Sequence, residues 1–348
     1  MALWVGIALV SALLFGASTP LSKLLLDHVS PFQLAGLLYL GAAVGMAPFA
    51  VRRHFVQRVR RLDTGNGRRL LGAVLLGGIA GPVLLLFGLR VAAAASVSLW
   101  LNLELVATAV LGVLFFRDQL SGRAWLGAAL VVTAALLLSW DGGPAGFLPA
   151  LLVALACICW GFDNHFTSLI DGLAPKETTF WKGLAAGTTN LVIGLAVAPW
   201  SATPLTAAGA LLLGSAAYGA SIVLYIAAAQ NIGATRGQLV FSAAPFFGVL
   251  IAVIVLGERM TALQIISIGV LLAGLGVLLR EGHAHRHHHP AAEHEHWHRH
   301  TDGHHGHTHP GRPAWLGHVH RHAHDELEHA HPHVPDVHHR HDHDHDHD

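Results

Sequence analysis

Imidazole and carboxylate alternate at the end of this chain, His341-Asp-His343-Asp-His345-Asp-His347-Asp348, and His283, His285, His287, His288 and His289 open the same pattern near Glu281. Neutral imidazole ligates zinc, nickel, cobalt or copper, and alternate spacing along an extended strand puts both rings on one side. The interleaved carboxylates add hard ligands and offset the cation charge. Of 29 histidines only His28, His54 and His165 precede the tail, so the histidine is concentrated in residues 281–348. Proton sensing and low-complexity drift are the alternatives for such a segment. His, Pro, Asp, Glu, Arg and Gly cannot build a packed core, and the composition predicts a disordered tail when metal-free.

In the rest of the chain the chemistry-bearing residues are few and lie inside apolar runs. Glu104 sits mid-run, where a charged side chain in a bilayer costs at least about 2.5 kcal/mol and is a functional candidate by default. At helical spacing Trp100 and Thr108 share its face, which suits an acid that exchanges a proton beside an aromatic ring. A protonated Glu pinning two helices is the plain alternative. Ser98 and Asn102 form an i, i+4 pair, matched 140 residues later by Gln238 and Ser242. Two such stripes could line a central cavity or simply bond helix to helix. Asp163, Asn164 and His165 stand near Cys157 and Cys159 and invite a metal site, but i, i+2 positions on a helix diverge, so Asp163 and His165 reach one ion only where the helix unwinds. The same divergence argues against a disulfide between the two cysteines. Lys23, Lys182 and Arg236 lie near run ends and are expected to snorkel, with anion binding as the minor alternative.

The runs that carry these residues are long enough to cross a bilayer, about 20 residues each. With 53% hydrophobic and 12% charged residues, the chain reads as an all-α polytopic membrane protein. Breaking the runs at Pro, Gly and charge gives ten spans near 3–25, 32–50, 69–89, 93–116, 122–140, 147–169, 177–198, 205–228, 235–256 and 262–279. The zero net charge divides into 16 basic and 9 acidic residues before Glu281, and 5 basic and 12 acidic from there on. Arg52, Arg53, Arg58, Arg60, Arg61, Arg68 and Arg69 crowd one loop against Asp63, which makes that loop cytoplasmic. Both termini then face the cytoplasm of an integral protein of the bacterial inner membrane, with Arg259 the single exception. GxxxG pairs at Gly41 and Gly45, Gly77 and Gly81, and Gly183 and Gly187 permit close helix approach and leave room for a homodimer.

The chain repeats itself. Phe15-Gly-Ala-Ser-Thr-Pro-Leu-Ser-Lys23 matches Trp160-Gly-Phe-Asp-Asn-His-Phe-Thr-Ser168, and Phe116-Arg-Asp-Gln-Leu-Ser121 matches Leu256-Gly-Glu-Arg-Met-Thr261, at spacings of 145 and 140. Five spans per copy is odd, so the copies are inverted relative to one another. The division is 1–140, 141–280 and the tail 281–348. These motifs resemble the drug/metabolite transporter superfamily, EamA type, over about residues 3–280. The resemblance implies ten helices in two inverted five-helix repeats and a secondary carrier or exporter without ATP, acting on small solutes. Glu104-Leu105 stands where the family often has Glu-Pro, while Ala244-Pro245 keeps the proline, so a weaker helix break is expected in the first half.

The leading expectation is a carrier of a small organic solute with a metal-binding tail that buffers or gates. A carrier of a divalent transition metal fed by the tail is the rival, and a membrane-anchored metal store or sensor the third. No nucleophile with a base, phosphate loop or nucleic-acid surface is evident, so neither an enzyme nor a nucleic-acid binder is expected, and no cofactor is required.

Overall fold

The computed structural model describes residues 2–51, 55–116, 122–141, 144–170, 173–232, 240–279 and four tail segments, 284–289, 292–298, 318–324 and 327–332. Ten apolar helices and a short basic one, Phe55–Arg60, make up the described body; the ten are α1 Ala2–Leu26, α2 Pro31–Ala50, α3 Thr64–Val91, α4 Ala94–Phe115, α5 Gly122–Asp141, α6 Pro144–Ser168, α7 Pro175–Val197, α8 Pro204–Ala228, α9 Ala244–Leu256 and α10 Ala262–Leu279. Seven are long and apolar enough to span a membrane outright, and α5, α9 and α10 contribute shorter apolar stretches. Their ends follow local chemistry. Proline at the first helical position starts α2, α7 and α8, and Ser30 and Thr203 cap two of these starts through side-chain oxygens. The Asp63 carboxylate accepts from the Asn66 and Gly65 amides at the start of α3, which holds it below the usual carboxylate range.

The two halves interlock. α1 packs on α8 and α9, while α6, its counterpart, packs on α3 and α4. The first helix of each repeat thus lies in the other repeat. At the centre α2 and α7, the second helix of each, cross at backbone contact. A Cβ on Gly187 would stand 2.6 Å from Leu40 N, one on Gly183 2.8 Å from Tyr39 O, and one on Gly36 2.7 Å from Leu191 N. Gly41 meets Leu211 O and Gly45 meets Ser215, both in α8. The GxxxG pairs expected to permit close helix approach do so inside one chain.

Departures from α geometry occur at matching places. α3 contains a π segment at Ala73–Ala80 and α8 one at Ser215–Ala220. α4 breaks at Leu101–Asn102 and α9 turns at Ser242–Ala243 before its proline. The break in α4 forms without a proline at Leu105. Asn102 N and Nδ2 both donate to Leu99 O, at 3.2 and 3.0 Å, and the buried Cys157 thiol lies 3.8 Å from Trp100 O, so backbone and side-chain donors together cover these carbonyls at the break.

Beyond α10 the described tail segments are strands: β1 Ala284–His289 with β4 Leu327–Pro332, and β2 Ala292–His298 with β3 His318–His324, both antiparallel. Composition predicts no packed core here, and each ribbon has two strands, fewer than a freestanding sheet needs.

Gly187→Val forces a branched side chain into the α2 to α7 crossing and should cost about 1–3 kcal/mol or prevent folding. Gly269→Ala, which meets open space, should leave the melt unchanged or slightly raised. Thermal unfolding of purified protein in detergent compares the two.

Candidate functional site

The π segment of α3 carries the site. Gly77 O accepts from Tyr39 Oη at 2.6 Å and from Trp160 Nε1 at 3.0 Å, and Gly78 O accepts from Asn190 Nδ2 at 3.0 Å. Side chains of α2, α6 and α7 thereby take over carbonyls at the altered helical repeat, as the membrane interior requires. The missing side chains matter as much. A Cβ on Gly77 would overlap the Asp163 carboxylate, and one on Gly78 would press on Ala186 Cβ at 2.5 Å.

Through this slot Asp163 of α6 reaches Lys182 of α7. Lys182 Nζ donates to Asp163 Oδ2 at 2.6 Å, with the side chains 15% and 8% exposed, and Thr167 Oγ1 donates to Asp163 Oδ1 at 3.0 Å. Lys182 therefore does not snorkel to an interface; the buried acid holds it. Lys23 does not snorkel either. Its ammonium donates to Leu89 O, Arg90 O and Ala92 O at 2.7, 3.3 and 2.9 Å, closing the C-terminal end of α3. Arg236 lies outside the described residues.

One residue along from Asp163, Asn164 Nδ2 donates to Glu104 Oε1 at 3.0 Å and lies 3.2 Å from Thr108 Oγ1. His165 turns to a third direction: Nε2 is 2.9 Å from Thr108 O, so that nitrogen carries the proton, and the ring stacks on Phe116 at 4.1 Å. α6 stays helical here, and Asp163 and His165 diverge as helix geometry demands. Among the described residues of the helix bundle no three His, Cys, Asp or Glu gather into a metal site. The metal reading of Asp163 with His165 is thus corrected: the acid is neutralised by a lysine and the imidazole is bound to another helix.

Two further expectations change. The break in α4 separates Trp100 from Glu104; Trp100 is 2% exposed and its Nε1 donates to Ala135 O in α5, so it is no platform for the acid. Ser98 lies where a Cβ on Gly248 of α9 would meet its hydroxyl at 2.5 Å, and Asn102 closes its own helix break, so this pair does not line a cavity. Of its counterparts, Ser242 sits in the turn before α9 and Gln238 lies outside the described residues. Among the tail histidines, His285, His287, His288 and His289 lie in β1, while His283, His341, His343, His345 and His347 fall outside the described residues.

Sequence reasoning missed Tyr39, Tyr218 and the Asp163 to Lys182 bond. Tyr39 and Tyr218 come from the two repeats and their ring centroids are 5.6 Å apart. A signal for the ion pair existed: Asp163 and Lys182 lie five and seven residues from the α6 to α7 turn, and antiparallel helices bring such positions close to level.

A second constellation holds the turn between α3 and α4. Gly257 takes a left-handed φ of 67°, after which Glu258 reaches back so that Oε1 and Oε2 accept from Ala94 N and Ala95 N at 2.7 and 2.9 Å. Lys23 caps the end of α3 and Glu258 the start of α4, each with the charge the helix end favours. Thr261 and Gln264 form a capping box on α10, and Gln264 Nε2 also donates to Ser96 Oγ at 3.0 Å. At the opposite ends of the helices, Arg58 pairs with Glu177 at 3.3 Å and Arg69 donates to Leu169 O at 2.7 Å.

Asp163→Asn or Lys182→Met alone strands a buried charge and should cost about 3–5 kcal/mol, while the double variant should recover most of that. A thermal-melt double-mutant cycle measures it. Glu258→Ala should cost about 0.5–2 kcal/mol through the lost cap, with Glu258→Gln between it and the parent in the same assay.

An uncharacterized transporter of Methanothermobacter thermautotrophicus strain Delta H is 27% identical over 301 residues, covering 80% of this chain and 87% of its own. A protein solved by crystallography matches at TM-score 0.56 and 18% identity, over 80% of this chain and 96% of that one, which supports the fold alone. The EamA-like transporter family matches residues 2–140 and again 147–280, one match for each five-helix half. Two family matches in tandem, ten apolar helices and interlocked repeats place this chain in the EamA-like transporter family, within the drug/metabolite transporter superfamily.

Proposed function

We propose that the protein is a secondary carrier that exchanges a small organic solute against protons, with Glu104 as the exchange site. The observation behind this is the division of charge around α6. Asp163 is 6% exposed and balanced by Lys182, whereas Glu104 is half-buried, beside the exposed Asn164, and has no ion-pair partner among the described residues. An ionised acid at this depth is tolerable beside a polar chamber and not beside lipid. Glu104 is thus the group whose charge can change as a proton leaves and a polar solute group arrives, while the neutral pair stays as scaffold. Inverted repeats that meet around such a site suit alternating access by rocking of one bundle against the other. The Lys23 and Glu258 contacts would seal one side, and the Arg58 and Arg69 contacts the other.

The carrier sits in the bacterial inner membrane with both termini in the cytoplasm, which places the histidine tail in the cytosol. There the tail binds zinc, nickel, cobalt or copper and buffers or regulates. Transition metal as the cargo itself has less to stand on, since Asp163 and His165, which could have joined Glu104 as ligands, are engaged elsewhere.

Proteoliposomes loaded with a pH-sensitive dye and offered amino acids, sugars, nucleosides and organic amines test the reading. Solute-driven proton movement is expected in the parent and absent in Glu104→Gln, which should melt within a few degrees of the parent. Solute flux that ignores the pH gradient, or that survives Glu104→Gln, would count against it. A metal-sensitive dye in parallel vesicles covers the rival: zinc or nickel flux lost in Glu104→Gln would make the protein a metal carrier.

A further inference from the structure

The tail strands have a register with consequences for metal. In the ribbon of β2 and β3, His294 stands opposite His322, His296 opposite His320 and His298 opposite His318. In the ribbon of β1 and β4, His285 stands opposite His331 and His287 opposite His329. Directly opposed residues share a face of an antiparallel ribbon, and so do residues two apart along a strand. His294, His296, His320 and His322 are therefore the corners of a rectangle on one face, about 5 Å across the strands and about 6.8 Å along them. His285, His287, His329 and His331 form a second rectangle of the same kind.

The other face of the first ribbon supports this register. Glu295 stands opposite Arg321 and Trp297 opposite Val319. An opposite-charge pair and an aromatic with a β-branched residue are favourable cross-strand neighbours. A shift by one residue would put histidines against Glu, Trp and Arg and lose both pairs at once. The alternation of His with other residues from 294 to 298 and from 318 to 322 thus specifies one pairing, with imidazoles on one face and pairing residues on the other.

We propose that the tail contains two four-imidazole sites for a divalent transition metal, one per ribbon, and that the bound ion holds each ribbon closed. The inference rests on the tail being a metal ligand, and it adds which histidines act together and what binding does. A two-stranded ribbon in water is marginal alone. The strands set the backbone positions and the ion gathers the rings, so its binding free energy becomes folding free energy for the ribbon. Four nitrogen donors suit zinc, nickel or copper over calcium or magnesium. β1 begins only a few residues after α10 ends at Leu279, so the metal-dependent fold forms close to the helix bundle.

The test uses the full-length protein in detergent, without an added tag, titrated with zinc chloride and nickel chloride by calorimetry and by far-UV circular dichroism. One variant changes His294, His296, His320 and His322 to Ala. A second changes four histidines of the sequence between β2 and β3, His304, His305, His307 and His309, to Ala. The first should lose one tight equivalent of metal and much of the metal-induced strand signal, and the second should keep both. Equal losses in the two variants, or binding without any gain of strand signal, would overturn the paired sites while leaving a metal-binding tail. No tight binding by the parent would overturn the paired sites and the metal-binding tail together.

Discussion

A carbonyl without a donor in the middle of a bilayer costs several kcal/mol, and the departures of α3 and α4 from α geometry create that situation. The rest of the centre follows from how it is resolved. Gly77 O and Gly78 O are taken by Tyr39, Trp160 and Asn190, which ties α2, α6 and α7 to one segment of α3. Because the segment is built of glycine at these positions, the same place leaves room for the Asp163 carboxylate and its lysine. Backbone satisfaction and charge placement are therefore one arrangement. A side chain larger than hydrogen at Gly77 would disturb both.

Charge in the core is divided by direction along a single helix. Successive residues of α6 point about 100° apart, so Asp163 faces Lys182 in α7, Asn164 faces Glu104 in α4, and His165 faces the Thr108 carbonyl beside Phe116. The pair with Lys182 is closed and neutral. The acid bonded to Asn164 is the one left accessible. Three adjacent polar residues thus hold three different relations to the bundle, which a reading of composition alone would merge into a single site.

The interlocking of the repeats ties both ends of the molecule to its centre. Since α1 belongs spatially to the second half and α6 to the first, motion of one half carries a helix of the other. Lys23 near the end of α1 and Glu258 just after α9 both grip the short α3 to α4 connection, so that connection reports the relative position of the halves. The glycine contacts of α2 with α7 and α8 leave little slack at the middle. Movement is expected around that crossing, as for rigid bundles, and not within it.

How much was legible beforehand depended on the range of the interaction. Hydrophobic run length, Pro and Gly punctuation and the recurrence of Phe15 to Lys23 at Trp160 to Ser168 are local or periodic signals, and they yielded the helices, their approximate ends and the five-plus-five repeat. Helix geometry alone also showed that Asp163 and His165 could share an ion only if α6 unwound. The partner of each polar residue was not legible, because it depends on which helices meet and at what rotation. Lys182 was misjudged as an interfacial lysine for want of Asp163 across the slot, and Trp100 as a neighbour of Glu104 because a straight α4 was assumed. The chain's own order determines that this is a ten-helix inverted-repeat membrane protein with a histidine-rich end. Only the tertiary structure decides that, among the described residues, Asp163 has an ion-pair partner and Glu104 has none, since pairing across helices far apart in sequence is fixed by backbone approach at glycines and not by local propensity.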